Sequence, residues 1–140
     1  MKTLLKALGL IGLIFATPAF ADGDTLYADM GGKAGIDKLV DVSADNYLSD
    51  VRIKAIFDES DTDLLRAEFK DQFCQISGGP CIYKGQNMTA AHKGLHLTNA
   101  DFNTVVEDLQ AAMDTCNIAF SVQNCFLARV APMQHQVVTK

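Results

Sequence analysis

The sequence predicts an all-α domain, and three observations carry that prediction. Apolar residues recur at i, i+3 and i+4 in segment after segment. Glycine, proline and capping residues punctuate the chain between those segments. Strand-like alternation of apolar and polar residues is absent throughout.

The elements follow in order. Thr25 can cap a short helix running through Met30, stopped by Gly31-Gly32. Ile36, Leu39 and Val40 mark the buried face of a second helix, expected to end near Ser49-Asp50. A short turn with Ile53, Ile56 and Phe57 comes next. Ser60, Asp61 or Thr62 can cap a helix whose stripe is Leu65, Phe69, Phe73 and Ile76, and Gly78-Gly79-Pro80 ends it. After a loop over residues 80–87, Asn87 can cap a short helix from Met88 to about Lys93. Thr98-Asn99-Ala100-Asp101 resembles a capping box with Asp in the acidic position. It opens the most regular helix, with Phe102, Val105, Val106, Leu109, Ala112 and Met113 on one face. A turn over 117–121 leads to a last helix carrying Val122, Phe126, Val130, Met133 and Val137, with a kink expected at Pro132. The expected architecture is about five substantial helices with short connections.

Residues 1–21 read as a cleavable signal peptide rather than part of the fold. Lys2 and Lys6 precede an apolar run from Ala7 to Ala16, Pro18 breaks it, and Ala19-Phe20-Ala21 supplies a small-residue cleavage site before Asp22. The run is short for a bilayer span, which needs ~20 residues. The expected mature chain, residues 22–140, is a single domain. It carries ten Lys and Arg against 17 Asp and Glu, a net charge of −7. An acidic chain argues against phosphate-backbone binding, so nucleic acid is an unsuitable partner. No other segment is apolar for long enough to anchor in a membrane. Export implies an oxidising compartment, periplasmic in a cell that has one. The four cysteines, Cys74, Cys81, Cys116 and Cys125, form no C-x-x-C pair. Disulfides are therefore expected, and proximity in sequence favours Cys74–Cys81 and Cys116–Cys125 among three connectivities.

Candidate chemistry is sparse. No nucleophile elbow, zinc-protease, P-loop or dinucleotide pattern is present. The carboxylates read as solvated surface. His92 and His96 stand four apart, a spacing that suits zinc or copper on one helix face, but Gly94 between them and the cap at Thr98 place the helix end before His96. His135 reads as surface.

Taken together the segments resemble the truncated globins, group I. The resemblance rests on Leu26-Tyr27 before Gly31-Gly32, on Asp50-Val51-Arg52-Ile53 with Phe57, and on Phe73 with Gly78-Gly79-Pro80 and Tyr83-Lys84-Gly85. It continues through Met88 to Leu95, Leu97-Thr98, Phe102 and Val130-Ala131-Pro132-Met133. It spans about Thr25 to Val138. It implies a two-over-two helical sandwich around haem b (iron protoporphyrin IX), with His92 as proximal iron ligand. Phe57 would pack flat on the porphyrin. Leu65, Phe69, Gln72 and Phe73 would fall on the distal helix face, and Tyr83 and Met88 near the haem edge. Arg66, Lys70, Lys84 and Lys93 are propionate partners by charge alone. The implied ligand is a diatomic gas, oxygen or nitric oxide, and an electron-donor protein is a further expected partner.

The sequence also departs from that pattern. The family's oxygen-binding tyrosine on the second helix corresponds to Ala44, beside Ser43 where a phenylalanine is usual. Tyr47, one turn on, is expected to point elsewhere. A distal-helix glutamine is replaced by Phe69. Ala44, Leu65 and Phe69 are thus expected to face the iron, with Gln72 at the rim and no strong donor, and oxygen release is expected to be fast. The alternatives are a haem redox enzyme, peroxidase-like or acting on nitrogen oxides, and a haem-free helical domain binding metal through His92 and His96. The missing distal histidine or arginine favours gas binding over the first of these.

Overall fold

Two crossed helix pairs make up the body of the molecule, and their inner faces follow from the apolar spacing. The computed structural model describes residues 24–139; the expected signal segment lies outside the described residues. In order come α1 (Asp24–Asp29), α2 (Gly32–Ser49), a 3-10 turn (Lys54–Phe57), α3 (Thr62–Ile76), α4 (Met88–Ala91), α5 (Asn99–Thr115), α6 (Phe120–Val130), a second 3-10 turn (Ala131–Met133) and α7 (Gln134–Val137). Among the described residues there is no strand. The helix α2 packs on both α3 and α5, and α6 closes the layer against α3 and α5.

The predicted stripes are the core. Leu39, Val40, Ala112, Met113 and Phe126 are fully buried where the pairs cross. Phe73 and Phe126 meet edge to face at 5.1 Å, joining α3 to α6. A run of ring contacts continues outward through Phe69, Tyr47 and Phe57. Each such pair adds about 0.5–1.5 kcal/mol beyond its buried area. Polar ties lock the register. Arg66 of α3 donates to the Asp41 carbonyl at 2.8 Å and to the Asp45 carboxylate at 2.6 Å on α2. Asn46 Nδ2 donates to the Asp108 carbonyl of α5 at 3.0 Å.

The caps explain where helices begin. The Asp61 side chain accepts from the Asp63 and Leu64 amides. Thr98 and Asp101 form the reciprocal capping box read from the sequence. Asn87 caps α4, but that helix stops at Ala91, short of the expected Lys93. Gly94, three residues on, takes up a left-handed φ of 82°, so no helix continues through it. Thr25 lies inside α1 rather than capping it. The last helix breaks as expected around Pro132, into α6, a 3-10 turn and α7.

Cys74 and Cys81 form a disulfide. It ties the last turn of α3 across the Gly-Gly-Pro turn to the loop that follows. The second expected bridge is not formed: Cys116 and Cys125 are both free. Cys116 ends α5 and packs against the core, whereas Cys125 is exposed on α6, turned away from the face that buries Gln123 and Phe126. Proximity in sequence placed them near one another, but helix phase points them apart.

Candidate functional site

A cavity of about 430 Å³ opens between the α2–α3 wall and the wall made by α4, α5 and the last helical segments. That volume lies in the usual range for small-molecule and cofactor sites, roughly 300–1,000 Å³. The lining is mostly apolar. Phe57, Leu65, Phe69, Gln72, Phe73, Tyr83, Met88 and His92, the eight residues singled out in the sequence, all line it.

His92 is half-buried and follows directly on α4. Its Nδ1 lies 2.7 Å from the Met88 carbonyl oxygen. A carbonyl oxygen can only accept, so Nδ1 carries the proton and donates. Nε2 is then left with its lone pair, the form in which imidazole binds a metal. A cap and one turn produce this arrangement: Asn87 accepts from the Ala90 amide at 2.9 Å, and α4 is only Met88–Ala91.

The facing wall is aromatic and aliphatic. Phe57 comes from the first 3-10 turn, and Leu65, Phe69 and Phe73 stand on α3 at helical spacing. Gln72 is 8% exposed, and its Nε2 donates to Met88 Sδ at 3.3 Å across the edge of the cavity. Tyr83 reaches the edge from the loop after the disulfide. Its amide donates to Gln75 Oε1 at 2.7 Å and its hydroxyl to the Gln86 carbonyl at 2.8 Å. Gly85 makes room for this, since a Cβ there would collide with the Tyr83 ring and hydroxyl. Burial and the Glu68 charge push the Tyr83 phenol above its ordinary pKa.

Three sequence expectations are corrected here. Ala44 is fully buried in the helix packing and is not among the residues lining the cavity. Tyr47 does line it, stacked on Phe57 at 6.0 Å and edge-on to Phe69 at 6.1 Å. Helix side chains lean toward the N-terminus, so the long ring of Tyr47 covers the turn bearing Ser43 and Ala44. The one available signal was its place on the buried stripe with Val40 and Ser43. Arg66 and Lys70 do not serve the cavity either. Arg66 is engaged by Asp45 and Lys70 by Asp41 at 3.0 Å, both on α2, because α3 presents that edge to its partner helix. Lys84 and Lys93 neighbour the lining residues Tyr83 and His92 in sequence and are exposed. The His92–His96 pair is not assembled. His96 is exposed beyond the helix end with a φ of 54°, and no cluster of three or more metal-ligating side chains occurs among the described residues.

The sequence also understated the opposite wall. Leu97 and, on α5, Phe102, Val105 and Leu109 shape it, and Val130, Met133 and Val137 close it. Their helical spacing marked them as buried without saying that part of what they face is open space.

Comparison with known proteins gives a consistent likeness. Residues 25–139 match a family described as bacterial-like globin. Group 1 truncated hemoglobin of Tetrahymena pyriformis is 34% identical over 100 residues, 71% of this chain and 83% of that protein. A group 1 truncated hemoglobin of Synechocystis is 38% identical over 93 residues, 64% of this chain and 75% of that one. The crystal structure of the Tetrahymena pyriformis truncated hemoglobin in its Fe(III) form superposes with a TM-score of 0.80 at 30% identity, covering 82% of this chain and 98% of that chain. A 2/2 hemoglobin from Synechococcus, crystallised in the cyanomet state with covalently attached heme, gives a TM-score of 0.76 at 26% identity, covering 82% and 98%.

Proposed function

The chain belongs to the bacterial-like globin family, and from that premise we propose that it holds haem b in the cavity on His92 and reversibly binds a diatomic gas there, oxygen or nitric oxide. The observation that carries this reading is the His92 ring: it lines an apolar cavity with its Nδ1 proton committed to the Met88 carbonyl and its Nε2 left as a ligand. The residues present fit the group. A flat apolar macrocycle suits walls of Phe57, Leu65, Phe69 and Phe73, and the His92 imidazole on the cavity lining would supply the iron ligand. Bound haem supplies the iron on which a gas is held. The chain's own residues exclude water, orient the imidazole and close the edge through Tyr83, Met88 and the Gln72 amide. Lys84 and Lys93 are left to meet the propionates, since Arg66 and Lys70 are spent on α2. Residues 1–21 support an exported, periplasmic setting, where an electron-donor protein would keep the iron reduced.

Gas binding is favoured over peroxidase-like or nitrogen-oxide chemistry because, among the described residues, no arginine and no histidine besides His92 lines the cavity. The test is titration of the haem-free chain with haem. An equimolar Soret band that shifts on adding carbon monoxide to the reduced protein is the expected result. Failure to take up haem, or uptake unaffected by His92→Ala, would overturn the reading. Rapid peroxide turnover by the loaded protein would favour the enzymatic alternative.

A further inference from the structure

The α2–α3 wall of the cavity holds a phenol at a place where the sequence led us to expect no donor. Tyr47 is 1% exposed overall, yet it lines the cavity. Its ring is pinned, stacked on Phe57 with planes 10° apart and edge-on to Phe69 at 82°. The small side chains of Ser43 and Ala44, on the turn over which it leans, leave the ring its space. Ser43 is four residues earlier on the same helix face, and both are buried. Ser43 Oγ is buried and makes no full hydrogen bond, but it stands near enough to the Tyr47 hydroxyl to hold that phenol's pKa down against the rise that burial causes. A buried hydroxyl without a full hydrogen bond is unusual and calls for an explanation. The Gln72 amide on this wall is already engaged, since it donates to Met88 at the cavity edge, and Ser60 is an exposed residue ahead of α3. Leu65 and Phe69 have no polar atom to offer.

We propose that Tyr47, oriented by Ser43, is the hydrogen-bond donor to the gas held in this cavity and governs how long it stays. The proposal rests on the haem-binding reading above and names the residue that sets ligand preference within it. A bound dioxygen gathers partial negative charge and accepts a hydrogen bond well, whereas carbon monoxide is far less polar. A phenol at this position therefore selects for dioxygen. Burial drives the Tyr47 phenol pKa well up, the field of Asp108 on α5 adds to the rise, and Ser43 offsets part of it. The hydroxyl thus keeps its proton and remains a donor wherever the fold persists. Ser43 is a positioning residue, turning the phenol without touching the ligand.

The experiment uses the haem-loaded protein with oxygen and carbon monoxide as probes. Tyr47→Phe removes one oxygen atom and should leave haem uptake and the melting temperature of the haem-free chain close to those of the unaltered protein. It should speed oxygen release about tenfold or more, the effect of one good hydrogen bond. It should change carbon monoxide release much less and move the C–O stretching band to higher wavenumber. Ser43→Ala should split or broaden that band, and Ser43→Thr should restore it. Tyr27→Phe, at a partly buried tyrosine packed against the core and outside the cavity lining, is the control. Unchanged oxygen release and an unmoved band in Tyr47→Phe, with normal haem uptake, would overturn this assignment alone. So would acceleration in Gln72→Leu without any in Tyr47→Phe. Failure of the unaltered chain to take up haem would overturn the cofactor reading and this inference together.

Discussion

The two walls of the cavity are built by different means. The His92 wall is local: a four-residue helix, one Asn cap and one ring-to-carbonyl bond place the imidazole within a span of six residues. The Tyr47 wall is tertiary: its rings come from α2, α3 and the 3-10 turn between them, and each is held by the others. Tyr47 is 1% exposed and His92 half-buried. The first wall is thus positioned by backbone geometry with little burial, and the second by burial with little local constraint. One should matter mainly when the cofactor is present, and the other whether or not it is.

The largest expected effect tests the local wall. His92→Ala should abolish stable haem retention, read as loss of the Soret band after gel filtration, while His96→Ala retains it. The haem-free His92→Ala chain should lose less than about 1.5 kcal/mol, since a single part-buried hydrogen bond is removed. Tyr47→Ala is the converse. Truncating a large buried ring costs about 3–5 kcal/mol, so urea unfolding of the haem-free chain should show a markedly lower midpoint. Comparable losses from both variants would break the distinction between the walls.

That distinction also decides what the sequence revealed. The stripes through Leu39, Val40, Leu109 and Met113 and the capping box at Thr98 are encoded by spacing and by neighbouring residues, and all are found in the structure. The end of the helix before His96 was legible too, because Gly94 is a local signal. Two misreadings share one cause. Tyr47 was expected to point away from the cavity, and Cys116 was paired with Cys125. Each error placed a side chain by distance along the chain, when helix phase and the lean of the side chain decided its direction. Arg66 and Lys70 were misassigned because charge alone does not reveal a nearer carboxylate on another helix.

The Cys74–Cys81 disulfide is expected to have a middle-sized effect, acting outside the cavity lining on the link between α3 and the loop that carries Tyr83. It closes a loop with a sequence separation of 7. The loop-entropy relation gives about 2.5 kcal/mol for a ring of that size. Peptide mapping without reductant should recover Cys74 linked to Cys81, with Cys116 and Cys125 alkylated as thiols. Cys74→Ser with Cys81→Ser should lower stability by about that amount. A Cys116–Cys125 peptide would restore the pairing that sequence proximity favoured.

The smallest expected effect separates local from global support most cleanly. Asn87 and Thr98 are both N-caps, so Asn87→Ala and Thr98→Ala should each cost about 1 kcal/mol where their helix is intact. The helices they cap differ greatly. The helix α5 runs from Asn99 to Thr115 with a buried face, so loss of its cap lowers stability without unravelling it. The helix α4 has four residues, none of them buried, too few to sustain itself without its cap. Loosening it moves the Met88 carbonyl that fixes the His92 ring. Asn87→Ala should therefore accelerate haem loss about fivefold, the kinetic equivalent of the missing bond, with little change in the unfolding of the haem-free chain. Thr98→Ala should show the reverse, lower stability with haem loss unaltered. Haem-transfer kinetics to an excess of a haem-scavenging apoprotein would distinguish them. Equal rates in the two variants would mean that His92 is held by the cavity as a whole and not by its own short turn.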